Sequence, residues 1–171
     1  MRLSPFVASL ALLLAACSPG AGEASPAADQ TAGGQAAGGQ AAGAVHPVSG
    51  LAVVPLTITG GKARHTFRVE VAANSAEQAK GLMFRTAMGA DEGMIFPMNP
   101  PRGASFWMRN TVIPLDLIFV GPDGRIINIA ANAVPYDERP LSSTGLVKGV
   151  LELSGGRAAQ LGIVAGDMVE W

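Results

Sequence analysis

The sequence predicts a mainly β domain of the α+β class, a small antiparallel β-barrel or rolled sheet carrying one or two short helices. Two observations carry that expectation. Short apolar runs with a two-residue period recur through the second half of the chain, separated by Gly, Pro, Asp and Asn clusters. The two segments with helical end signals are each under about ten residues, too short to organise a helical bundle.

The elements follow in order. HTFRVEVAA, residues 65 to 73, places Phe67, Val69 and Val71 on one side and Thr66, Arg68 and Glu70 on the other, the pattern of a half-buried strand. Val53 to Thr59 is expected to pair with it through the Gly60-Gly61 turn. In NSAEQAKGLMFR, Ser75 followed three residues on by Gln78 fits a capping box, and Gly81 ends a short helix. Strands are then expected at Gly93 to Met98, Ala104 to Arg109, Leu115 to Val120, Arg125 to Ala131, Val147 to Leu153 and Met168 to Trp171. Pro122-Asp123-Gly124 is a tight hairpin signal, residues 135 to 146 read as the longest polar loop, and a second short helix fits Arg157 to Leu161, closed by Gly162.

The first 44 residues are different in kind. Residues 1 to 16 have a basic start at Arg2, an apolar core from Phe6 to Leu14 and small residues beyond, the layout of a secretory signal too short to span a bilayer comfortably. Leu14-Ala15-Ala16-Cys17 resembles the bacterial lipobox, which implies cleavage before Cys17 and acylation of that cysteine. Two or more acyl chains give stable anchoring where one is marginal. Ser18, rather than aspartate, favours the outer membrane over the inner by the usual sorting pattern, with the domain facing the periplasm. Residues 17 to 44 contain no Ile, Leu, Val, Met or aromatic beyond the cysteine, and AGGQA occurs at 32 to 36 and again at 37 to 41. Such a segment has nothing to bury and reads as a flexible linker with a root-mean-square span of about 30 Å. One globular domain is expected over 45 to 171.

That domain has 11 basic and 11 acidic residues, so no single-sign surface is available to neutralise a row of phosphates, and nucleic acid is not an expected partner. The chain's single cysteine is the one in the lipobox, so the domain is expected to fold without disulfides.

Several blocks of residues look like one family: Gly81-Leu82-Met83-Phe84-Arg85, Glu92-Gly93-Met94-Ile95-Phe96, Phe106-Trp107-Met108-Arg109-Asn110-Thr111 and Pro114-Leu115-Asp116-Leu117-Ile118-Phe119, followed by Asp123-Gly124-Arg125-Ile126 and Val150-Leu151-Glu152-Leu153. Their order and spacing resemble the bacterial and archaeal family catalogued as domain of unknown function 192, from about residue 66 to the end. The resemblance implies a compact β-rich fold and an exported context, and it carries no established activity.

Charge inside the most apolar strands marks the candidate site. Asp116 lies among Leu115, Leu117 and Phe119, and Glu152 between Leu151 and Leu153. A buried carboxylate is costly unless paired. One reading pairs Asp116 or Glu152 with Arg85, Arg109 or backbone amides as a structural contact. The other brings Arg85, Trp107, Arg109, Asn110, Asp116 and Glu152 together around a small polar pocket. There an arginine fork would hold a carboxylate or phosphate, and the indole a flat or sugar-like face, so the expected ligand is small and anionic or sugar-like. A rival enzymatic reading makes Asp116 and Glu152 the acid and base of a cell-envelope hydrolase, which depends on their separation. Met83, Met88, Met94, Met98 and Met108 raise Cu(I) binding by thioethers, though core filling is the commoner role of methionine. No His or Cys joins them, zinc lacks its usual ligands, and no metal, cofactor or catalytic residue is assigned. The sequence leaves the oligomeric state open.

Overall fold

A computed structural model describes residues 44 to 171; the signal segment, Cys17 and the linker up to residue 43 lie outside the described residues. The folded domain begins one residue earlier than expected, because β1 (Ala44–Val45) pairs with β2 (Ala52–Gly60). β2 then runs antiparallel to β3 (Ala63–Val71), closing at Gly60 opposite Ala63, so the turn residues are Gly61 and Lys62 and not Gly60-Gly61. Gly61 adopts φ 53°, a left-handed value that glycine accepts without steric cost.

Helix α1 (Ser75–Lys80) follows, and its cap is shifted by one residue from the expected one. The Asn74 side chain accepts hydrogen bonds from the Ala76 and Glu77 amides at 3.0 Å each, while the Glu77 carboxylate accepts from the Asn74 amide at 3.2 Å. A carboxylate at the third position answers the helix dipole as well as the orphan amide, which Gln78 could not do. The helix carries the chain over to β4 (Glu92–Arg102), which pairs parallel with β3, the one parallel pairing in a sheet that is otherwise antiparallel.

Beyond it lie β5 (Ser105–Phe106), β6 (Leu115–Val120), β7 (Ile126–Ala133), β8 (Leu141–Ser142), β9 (Val147–Ser154), α2 (Arg157–Leu161) and β10 (Met168–Glu170). The large sheet has the order β1-β2-β3-β4-β9-β6-β7, with β10 on β2. Its ends approach at β10, where a single bridge joins Arg125 to Met168. The sheet is therefore rolled but not closed into a barrel. Two expectations need correction here. The strand expected from Ala104 to Arg109 stops at Phe106, because the chain turns at Arg109 and Asn110, the latter at φ 55°. The polar loop 135 to 146 contains β8, which pairs with β5 in a separate two-stranded sheet.

Every residue of β6 is buried, and the strand lies between β9 and β7. Alternate side chains serve different cores. Ile118 and Val120 join Leu56, Phe67, Val69, Leu151, Leu153 and Val169 on one face, where α2 contributes Ala158. Leu115, Leu117 and Phe119 join Met94, Phe96, Met98, Met108 and Val150 on the other. On this second face Phe106 sets its ring edge-to-face against Phe96, with centroids 5.1 Å apart, and against Phe119 at 6.4 Å. Three of the five methionines, Met94, Met98 and Met108, are thus core residues, and Met88 packs against the same cluster. Between β4 and β9 the backbones are close: a Cβ on Gly93 would stand 2.5 Å from the Glu152 carbonyl oxygen, so only glycine fits there.

Candidate functional site

The two carboxylates that stand out in the sequence occupy opposite faces of the sheet. In the β6–β9 register Asp116 faces Leu153 and Leu117 faces Glu152. Side chains alternate along a strand, so Asp116 shares its side with the core that holds Ile118 and Leu153. Glu152 shares the other with Leu117 and Met94, its neighbour on β4. Two groups on opposite faces cannot flank one scissile bond, which removes the paired-carboxylate hydrolase.

Asp116 is fully buried, and its partners are backbone amides, not arginines. One oxygen accepts from Asn132 N at 2.7 Å and Gly156 N at 2.9 Å, the other from Ala158 N at 2.8 Å. The β6–β7 register slips between Leu115 and Leu117, placing an extra residue in β7 near Asn132, which has φ 51°. Such a bulge frees an amide from the ladder, and Asp116 satisfies it. The same carboxylate caps α2, whose N-cap residue Gly156 has no side chain to do so. Asp116 is a pin between strand, bulge and helix.

Arg85 has a different partner, one that the sequence reading did not single out. Its two terminal nitrogens bond Glu70 in a fork at 2.9 and 3.0 Å. The Ser49 hydroxyl also donates to Glu70, and His46 Nε2 stands 3.6 Å from it. Glu70 lies on the side of β3 expected to face water, yet is 3% exposed because residues 46 to 51 fold across it. A groove of about 830 Å³ runs between residues 48 to 51 and the segment from Ala76 to Ala87, with Arg85 in its wall. The guanidinium fork is already committed to Glu70, so it has little left to offer a ligand there.

Arg109, Trp107 and Asn110 lie on the turn after β5. Arg109 stacks 4.4 Å from the centre of the Trp107 ring and bonds Glu138 at 2.6 Å, in a pair that is about half exposed. That hydrogen bond holds the Glu138 carboxyl below its ordinary range. Asn110 turns its amide toward the Met83 sulfur at 3.8 Å, and its carbonyl accepts from the Phe84 amide. Of the six candidate residues, only Trp107 and Glu152 line one cavity; Arg85, Arg109, Asn110 and Asp116 do not join them there.

That cavity, of about 420 Å³, is open on one side and lies under the C-terminal end of α1. Gln78 and Lys80 enter from the helix, Met83 from the turn after it, Arg102 from the end of β4, and Ser105, Trp107 and Thr111 from the segment around β5. Phe96, Met98 and Phe106 make its apolar wall, and Glu152 is the acidic group within it. Glu152 is 5% exposed and, among the described residues, has no side-chain hydrogen-bond or ion-pair partner. Burial away from water pushes its carboxyl up to about 8. No buried side-chain oxygen among the described residues is sealed off without a partner. The Glu152 oxygens therefore keep their access through the cavity. Lys80 and Arg102 form no ion pair among the described residues. Neither cation could have been chosen from the sequence, where each sits in an ordinary polar setting.

A rolled sheet with one face covered by α2 and, on the other, a polar cavity lined by one recessed acid, Glu152, defines a small β-rich domain. Residues 56 to 171 match the model of the family described as an uncharacterized ACR, domain of unknown function 192, and the chain belongs to that family. Among solved structures, it is similar to a protein of unknown function from Novosphingobium aromaticivorans, with 65% identity, a TM-score of 0.75, and coverage of 81% of this chain and 99% of that one. It is also similar to a Sinorhizobium meliloti protein described as a "putative transcription regulator", with 36% identity, a TM-score of 0.68, and coverage of 70% and 94%. No curated protein matches.

Proposed function

We propose that the protein is a lipid-tethered envelope domain that binds a small polar ligand in the cavity around Glu152, as a binding or accessory module and not as a hydrolase. The observation that carries this reading is the recessed carboxyl group: a 5% exposed glutamate without a side-chain partner among the described residues, reached through a cavity of about 420 Å³. Buried polar groups in folded proteins are overwhelmingly hydrogen-bonded. An unpaired one that faces a cavity of ligand size is the feature expected of a site whose partner arrives from outside. Trp107 at the same cavity supplies an amphipathic face for a flat or ring-shaped molecule.

The tether rests on the lipobox-like Leu14-Ala15-Ala16-Cys17 and the apolar-free stretch after it. Anchoring would hold the domain near the membrane, facing the periplasm, with the outer membrane favoured, and the linker would let the cavity reach ligands a few nanometres away. The 11 basic and 11 acidic residues over 45 to 171 leave no net positive charge for a nucleic-acid face, which speaks against a regulator role of the kind named for the Sinorhizobium relative.

Two experiments test the reading. A thermal-shift screen of sugars, sugar acids and amino acids against the purified chain should give saturable stabilisation by at least one class. Ala79→Trp, an exposed cavity-lining position on α1, should abolish it without lowering the melting temperature of the ligand-free protein. Stabilisation that survives Ala79→Trp would place the ligand elsewhere. For the tether, Cys17→Ala should abolish incorporation of labelled palmitate and release the protein from the membrane fraction.

A further inference from the structure

We infer that the cavity is built for a small hydroxylated organic anion of the sugar-acid kind, whose charge is held by Lys80 and Arg102 while a hydroxyl group seats on the recessed Glu152. The inference rests on the binding reading above and names its ligand. Its basis is the distribution of unpaired groups. Two cations and one acid line the cavity, none of the three satisfied by a protein ion pair among the described residues. Lys80 and Arg102 are exposed at its edge, whereas Glu152 is recessed against Met94, Leu117 and the aromatic wall.

The cations do not neutralise the acid. Neither stands within ion-pair distance of Glu152 among the described residues, and burial pushes its carboxyl up to about 8. The charged groups facing it can be enumerated by element. From α1 comes Lys80, and from the end of β4 Arg102. β6 presents Leu117 beside it, with Asp116 on the far face, and the 103 to 111 segment contributes Ser105, Trp107 and Thr111. At neutral pH the lining therefore carries two positive charges and one uncharged carboxylic acid. A cationic ligand would meet both rim charges, and a purely neutral one would leave them unused. An anion with a hydroxyl group satisfies all three, because a protonated carboxyl is both donor and acceptor. The volume, about 420 Å³, lies in the range of small-molecule sites, and the Trp107 and Phe106 rings offer the faces a pyranose ring would pack against.

The probes are three compounds on one ring: D-glucuronate, D-glucose and D-glucosamine, anionic, neutral and cationic. Each is titrated into the full chain in detergent by calorimetry, at about pH 6 and about pH 9.5, on either side of the Glu152 titration at about 8. Glucuronate should bind most tightly, and its affinity should fall about thirtyfold at the higher pH as the acid loses its proton. Glu152→Gln, which has no proton to lose in this range, should bind glucuronate with an affinity that no longer differs between the two pH values. Lys80→Gln combined with Arg102→Gln should weaken glucuronate about tenfold or more and leave glucose unchanged. Preference for glucosamine, or a glucuronate affinity in Glu152→Gln that still falls at the higher pH, would overturn the assignment while leaving a binding cavity. Absence of saturable heat for all three compounds would overturn the sugar-acid assignment, and the wider screen with Ala79→Trp then decides separately whether the cavity binds at all.

Discussion

Asp116 and Glu152 sit on adjacent strands, one residue apart in the β6–β9 register, each flanked by leucines and each almost without solvent exposure. Their surroundings then diverge completely. Asp116 gathers three backbone amides within 2.9 Å from a bulge and a helix start, and Glu152 gathers none among the described residues. The pair teaches that a charged residue within an apolar strand marks a demand for partners without saying where they come from. On one face the fold supplies them, and the residue is structural. On the other the fold leaves a cavity, and the residue is available to a visitor. Glu70 shows the intermediate case, met by Arg85, Ser49 and His46 from a segment laid over the sheet.

The sharpest way to break the comparison is to truncate each acid. Asp116→Ala takes the acceptor from three backbone amides, that of Ala158 in a buried bond and those of Asn132 and Gly156 in part-buried ones. A buried donor left unsatisfied costs about 1–3 kcal/mol, a sizeable share of the 5–15 kcal/mol that holds a typical domain together. The expected outcome is a chain unfolded at ambient temperature or melting far below the parent, read by calorimetry or near-ultraviolet circular dichroism. Glu152→Ala should do no such thing, because no protein group loses a partner. If both variants unfold alike, the distinction between a pinned and a free carboxylate is wrong.

The second expected effect is a pH dependence confined to one of the two. The folded-state value for Glu152, about 8, lies above its ordinary 4.5. Between these values the native chain keeps a proton that the unfolded chain has lost, so stability declines as pH rises from about 4.5 to about 8 and then levels off. Integrated over that window the loss is on the order of 5 kcal/mol at the upper end. Glu152→Gln should remove this slope and leave the variant more stable than the parent above about pH 8. Denaturant midpoints across the window measure it, and parallel curves for the two proteins would contradict the burial that sets the shift.

Much of this architecture was legible in the chain. Leu115 to Val120 and Arg157 to Leu161 have their observed bounds because clear signals frame them, Pro114 and Gly121 for the strand and Gly162 for the helix. What could not be seen depends on distant neighbours. A two-residue strand such as β8 has no period to detect, and the sequence does not distinguish the two candidate caps of α1, because Asn74 with Glu77 and Ser75 with Gln78 share one spacing. The strand pattern is compatible with both a rolled sheet and a closed barrel, and what separates them is that β7 and β10 meet only through the isolated bridge from Arg125 to Met168. At the site, Glu152 and Trp107 were recognisable as out of place in an apolar run and near a turn. Their cavity companions Lys80 and Arg102 are ordinary residues until α1 and the end of β4 bring them together.

The smallest expected effect belongs to Arg109, the residue around which the sequence suggested a pocket. Its guanidinium lies against the Trp107 ring and bonds Glu138, with both charged partners about half exposed. Exposed pairs of this kind are screened by water and salt, so Arg109→Leu should leave the melting temperature where it was. The indole it stacks on does line the cavity, however, and losing the cation should let that ring sample more orientations at the mouth. A modest weakening of ligand affinity without a change in stability is the expected signature, measured by titrating Arg109→Leu beside the parent. Loss of stability comparable to that of Asp116→Ala would mean that the 105 to 111 turn is held by this exposed pair, contrary to the backbone bonds that join it to Phe84, Tyr136 and Asp137.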